Sequence, residues 1–109
     1  MSKTNKYKLL NIQRAEDGKH KYIATFINTK TNTKKHIGFG SAGMEDYTTY
    51  SKKLTPEEAL EHKRLYLLRH QMTEDWNNPL TAGALSRWIL WHLPSIEDSI
   101  KDYLQKFNI

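Results

Sequence analysis

The stretch GFGSAG, Gly38 to Gly43, matches the pattern G-x-G-x-x-G letter for letter, and its reading decides the fold. In a dinucleotide-binding domain such glycines sit between a strand and a helix that follows at once, whose N-terminus holds the pyrophosphate. Here Met44-Glu45-Asp46-Tyr47-Thr48 follows, and the first clear helix start lies near Thr55. The protein-kinase version of the pattern needs a lysine on a following strand, an H-R-D loop and a D-F-G, and none is present. No nucleotide cofactor is therefore expected. The glycines end a strand and permit positive φ in a tight connection. Alternatively they form a backbone N–H nest for a single phosphate, with Lys34, Lys35 and His36 as basic neighbours.

The residues before the glycines read as an antiparallel meander over 6–40. KYKLLNIQR, residues 6–14, is a first strand, with Leu10 and Ile12 on one face and Tyr7 and Leu9 on the other. Asp17-Gly18 marks a hairpin turn. In KYIATFIN, residues 21–28, Tyr22, Ala24 and Phe26 alternate with Ile23, Thr25 and Ile27. A second turn in TKTNTK leads to KKHIGF, residues 34–39, where Lys35, Ile37 and Phe39 share a side.

Beyond the glycines a polar connecting loop covers 41–54, and then the period changes to a helical one over 55–107. Thr55, Pro56 and Glu58 form a capping box with proline at the first helical position, predicting a helix to about Gln71. Thr81 caps a second helix, AGALSRWILW, which Pro94 breaks. It is apolar on most sides and should be buried centrally. Ser95 and Asp98 start a third helix, whose Ile96, Ile100, Tyr103, Leu104 and Phe107 form one stripe. The order predicts a single α+β domain: a three-stranded antiparallel meander followed by three helices packed on one face.

The 109 residues suffice for one such domain. There is no cysteine, which excludes disulfides, thiol catalysis and cysteine-based zinc sites. No apolar run is long enough for a membrane span, and MSKTNKYKLL lacks the apolar core of a secretory signal. The net charge of +5 is unevenly spread. Residues 1–53 carry 11 Lys and Arg against 4 Asp and Glu, whereas residues 54–109 carry 6 against 8. The positive field belongs to the first half, as expected where the partner is a polyanion.

No set of residues reads as catalytic. The five histidines show no i, i+4 pair, and no metal site is expected. Asp46, close to the basic region, is the one acid on which a small metal-dependent nuclease would depend. Arg64 lies in the helical arc of Leu60, Leu67 and Leu68; it snorkels, pairs with an acid such as Asp46, or meets a phosphate. Arg87, inside LSRWILW, must reach solvent, pair with a carboxylate or meet a ligand, and pairing is the favoured reading.

FGSAGMEDYT, YLLRH, EDWNNPLTAGALSRWILW and SIKDYLQKF together resemble a family of small basic proteins encoded by nucleocytoplasmic large DNA viruses, the giant viruses. The resemblance covers nearly the whole chain, and TAGALSRWILW is its most specific part. Thr49-Tyr50-Ser51-Lys52-Lys53 departs from the family, which often carries a His-Lys-Asp-type run there. The resemblance implies a viral source, in the virion or the infected host cell, and brings no catalytic mechanism. Charge and resemblance together lead to the expectation of sequence-independent double-stranded DNA binding, with no cofactor, through Lys30, Lys34, Lys35, Lys52, Lys53 and Arg64 and the backbone N–H groups of Gly40 and Gly43. Six phosphate contacts imply a salt slope of about −5. The alternative is a virion structural or interaction module without DNA affinity. A homodimer is compatible with a short aromatic-rich chain, but no pairing surface is marked.

Overall fold

The computed structural model describes residues 6–109; the segment before Lys6, read above for a secretory signal, lies outside the described residues. Strands β1 (Tyr7–Arg14), β2 (His20–Asn28) and β3 (Lys34–Ser41) form an antiparallel sheet in the order β1-β2-β3. Four helices follow: α1 (Tyr47–Lys53), α2 (Pro56–His70), α3 (Ala82–Leu85), which continues into a π-helical turn over Ser86–Leu90, and α4 (Ile96–Phe107). The α+β class follows from the sequence, with one more helix than expected. None of the described helices is long and apolar enough to cross a membrane.

Tyr22, Ala24 and Phe26 of β2 and Ile37 and Phe39 of β3 lie on one face, with the Tyr22 and Phe39 rings stacked 5.8 Å apart. They pack against Leu85, Ile89, Leu90, Trp91 and Tyr103 from the helical layer. The expected alternation in β1 fails at one point. Leu9 pairs with Phe26 and Asn11 with Thr25, so Leu10 is an extra, bulged residue, 47% exposed. The bulge resets the phase, placing Tyr7, Leu9 and Ile12 together on the core side. An edge strand tolerates this because one side of its ladder is already unpaired.

The segment expected to be a loop over 41–54 contains α1. Asp46 is its N-cap, accepting from the Thr48 and Thr49 backbone amides, while the Thr49 hydroxyl accepts from the Asp46 amide. The sequence YTTYSKK shows no helical apolar period, so the capping box and tertiary contacts define this helix. In α2 the buried residues are Ala59 and Tyr66, whereas Leu60 and Leu68 are 54% and 51% exposed. The helix docks by stacking Tyr66 on Trp91, with ring centroids 4.2 Å apart and planes 5° apart. That contact turns the leucines outward.

The second expected helix ends earlier than Pro94. The Trp91 amide donates to the Ser86 carbonyl, an i→i+5 bond of 3.0 Å, and the chain leaves the helix there. Tyr103 ties α4 to the long loop, its hydroxyl donating to the Pro79 carbonyl at 2.7 Å. Buried Ser99 accepts from the Leu93 amide at 3.0 Å and so closes the turn around Pro94.

Candidate functional site

The sheet residues in the core lie on one face; on the other, Lys34 and His36 are exposed, while Ile23 and Ile27 between them and β1 are half-buried and Thr25 is buried. Strand pairing sets its composition. Lys8 pairs with Ile27 and Ile27 with Lys34; Asn11 with Thr25 and Thr25 with His36; Gln13 with Ile23 and Ile23 with Gly38. These three rows carry two lysines and a histidine and no carboxylate. Across two strand spacings, Lys8 and Lys34 sit about 10 Å apart at the backbone. His36 is held in its row by a 3.0 Å hydrogen bond between Nδ1 and the Thr25 hydroxyl. Lys8 Nζ donates to the Asn108 carbonyl at 3.3 Å, which tethers the side chain at the sheet edge.

The β2–β3 turn extends this basic surface. The Asn28 side chain accepts from the backbone amides of Lys30 and Thr31, at 2.9 and 3.2 Å. Asn32 takes the left-handed conformation, φ 60°, that closes the turn. Lys30, Lys34 and Lys35 are all exposed, and none has an ion-pair partner among the described residues. Lys34 and Lys35, being adjacent on a strand, leave it on opposite faces.

The remaining expected contacts are dispersed. Lys52 is exposed at the end of α1 and has no ion-pair partner among the described residues. Lys53 pairs with Glu45, which holds the Glu45 carboxyl below its usual range. Arg64 forms a two-pronged pair with Glu61, at 2.8 and 2.7 Å, rather than with Asp46. That contact raises the Arg64 guanidinium and lowers the Glu61 carboxyl from their ordinary values. Gly43 adopts φ 80° with open space at its Cβ position, a free corner. Gly40, at φ 75°, is not free: a Cβ there would lie 2.7 Å from Leu90 Cδ1. From Lys35 to Gly40 is five strand residues, about 17 Å. The structure therefore keeps Lys30, Lys34 and Lys35 together, places Gly40 and Gly43 at the far end of β3, and sets Arg64 apart on α2.

The glycine corner borders a cleft of about 410 Å³ between the end of β3, α2 and α3. His62, Arg69, His70 and Ser86 line it with the Tyr66 and Trp91 rings. Its polar groups are largely engaged with one another. His70 pairs with Glu74 at 3.0 Å, and Glu74 also accepts from Trp76 Nε1 at 2.8 Å. Asp46, only 2% exposed, has both oxygens occupied. One accepts from Thr48 and Thr49, and the other from Lys21 Nζ at 2.6 Å. It serves as the cap of α1 and as a strut between that helix and β2. Among the described residues no three histidine or carboxylate groups are placed to hold a metal ion.

Arg87 corrects another expectation, since it pairs with no carboxylate. Its guanidinium lies over the Trp88 and Trp76 rings, at 4.1 and 5.4 Å, and donates to the Trp91 carbonyl at 3.2 Å. Lys63 donates to the next carbonyl, His92, at 2.7 Å. Burial lowers both cations from their ordinary pKa values. Together they cap the carbonyl end of the π-helical turn, where the backbone dipole favours positive charge.

No family model, curated protein or solved structure matches this chain.

Proposed function

We propose that the protein binds double-stranded DNA without reading its sequence, through the open face of the sheet and the β2–β3 turn. One observation carries this reading: a sheet face whose three rows hold Lys8, Lys34 and His36 and no carboxylate, bordered by the unpaired Lys30 and Lys35. Phosphate binding by lysine releases counterions and needs no base contact. The face spans about 13 Å along the strands and 10 Å across them, enough for only a few phosphates. With four contacts, from Lys8, Lys30, Lys34 and Lys35, the expected salt slope is about −3.6; Lys52, on α1, stands apart from this face. That is shallower than the six-contact expectation, because Lys53 and Arg64 already hold acid partners. The resemblance to giant-virus proteins supports assigning this activity to a viral genome or virion.

Fluorescence anisotropy on a random duplex across a salt series tests the proposal. Charge reversal at Lys34 and Lys30 should weaken binding several-fold and flatten the slope, while Lys53→Gln should do little. Undetectable or salt-independent binding near about 50 mM salt refutes it. The small extent of the face also suits a second reading, docking onto an acidic virion protein. Co-purification that survives nuclease digestion, with no duplex affinity, would mark that reading.

A further inference from the structure

We infer that α2 pairs antiparallel with α2 of a second copy of this chain. Six large apolar side chains are exposed among the described residues, and Leu60, Leu65 and Leu68 of α2 supply half of them, at 54%, 38% and 51%. At about 100° per residue, Leu60, Arg64, Glu57 and Leu68 fall within an arc of about 80°. This arc points away from Ala59 and Tyr66, which face the core. A helix that turns leucines to water on one face, with the core on the other, has two surfaces to cover.

The charge order names the occupant. Of the charged residues of α2, Glu57 and Arg64 lie in this arc and Glu61 at its border, whereas Glu58 is held by Thr55 and His70 by Glu74. An antiparallel copy sets the acidic residues beside Leu60 of one helix toward Arg64 of the other, which is the self-complementarity a two-fold contact requires. With the axis beside Arg64, Leu60 meets the partner's Leu68 twice over, and each Arg64 reaches the partner's Glu61. The Glu61–Arg64 pair within one chain, 2.7 Å, is then shared between both. The lysine-bearing sheet face shares no residue with this seam, so the pairing does not depend on DNA binding. The seam from Leu60 to Leu68 is only about 12 Å long. The contact should therefore be transient, below the roughly 1,200 Å² of standard interfaces.

Sedimentation equilibrium of the whole chain without DNA, from about 5 to 500 μM, is the test. The weight-average mass should rise from 12.8 kDa toward twice that value in the upper part of the range. Glu61→Arg and Arg64→Glu should each return it to the monomer, and the double exchange should restore the dimer. Leu60→Gln with Leu68→Gln should abolish it while leaving the circular dichroism unchanged, because both side chains are exposed. A monomer mass throughout, or a dimer indifferent to both sets of substitutions, overturns the inference.

Discussion

Replacing Asp46 by alanine should unfasten the junction between the sheet and α1. Asp46 caps α1 through Thr48 and Thr49, at 2.9 and 3.1 Å, and accepts from Lys21 Nζ at 2.6 Å. The cap alone contributes about 1 kcal/mol. The ion pair matters more, because the Lys21 side chain is only 15% exposed and Asp46 only 3%. Removing one partner of a buried pair costs about 3–5 kcal/mol. The Lys21 ammonium recovers part of that by swinging toward water, so the total should be about 3–4 kcal/mol. For a chain of 109 residues this lowers Tm by about 15 °C.

The double variant separates the two contributions. Lys21→Met with Asp46→Ala leaves no unpaired ion and should cost little more than the lost cap, about 1–2 kcal/mol. Lys21→Met alone strands the Asp46 carboxylate and should cost about 3 kcal/mol, so the two single losses together exceed the double by about 4–6 kcal/mol, far above the additivity expected of distant residues. Urea unfolding followed by tryptophan fluorescence measures all four corners of the cycle. A loss below about 1 kcal/mol for Asp46→Ala, or strict additivity in the double variant, would refute the strut.

Two further predictions concern the glycine corner and the buried tyrosines. Gly40→Ala should cost about 1–3 kcal/mol, because it adds a Cβ 2.7 Å from Leu90 Cδ1 to a residue at φ 75°. Gly43→Ala meets nothing within 4 Å and should cost only the left-handed strain, about 1 kcal/mol. Equal losses at the two positions by chemical denaturation would argue against the close approach of Gly40 to Leu90. Burial pushes the Tyr66 and Tyr103 hydroxyls above the ordinary phenol range, with the Glu74 charge adding to the effect at Tyr66. Their raised folded pKa gives a contribution that is complete below the unfolded value of about 10 and declines as pH rises beyond it. In an ultraviolet titration of the six tyrosines, these two should ionise only as the chain unfolds. Ionisation of Tyr66 and Tyr103 near the ordinary phenol value of about 10, with the circular dichroism intact, contradicts that assignment.

Much of the fold is legible because it rests on local signals. The alternation in β2, the Asp17-Gly18 turn, the capping box at Thr55 and the Ser95 N-cap each specify an element within a few residues. The failures occur where a distant partner decides. The segment after GFGSAG lacks an apolar period, yet α1 forms there because Lys21, 25 residues earlier, stabilises its capping aspartate. The apolar side chains of α2 point to a core through Leu60 and Leu68. The Tyr66–Trp91 stack chooses another face, and no local property of α2 encodes where Trp91 will be.

The candidate interface shows the same division between charge and placement. That the first half is basic can be counted, and the unpaired state of Lys30, Lys34 and Lys35 follows from the lack of nearby acids. That Lys8 joins Lys34 in one row could not be read from alternation, since Lys8, Leu10 and Ile12 would share a face in an unbroken strand. The bulge at Leu10 breaks that phase. It sends Ile12 to the core together with Leu9, and Lys8 to the open face. A strand without the extra residue would either turn Lys8 toward the helical layer with Tyr7 and Leu9 away from it, or leave Lys8 in place and turn Ile12 to the open face. The insertion that defeats the alternation therefore also frees Lys8 to complete the basic row. The site depends on a defect in the regular pattern at an edge strand, where such a defect costs least.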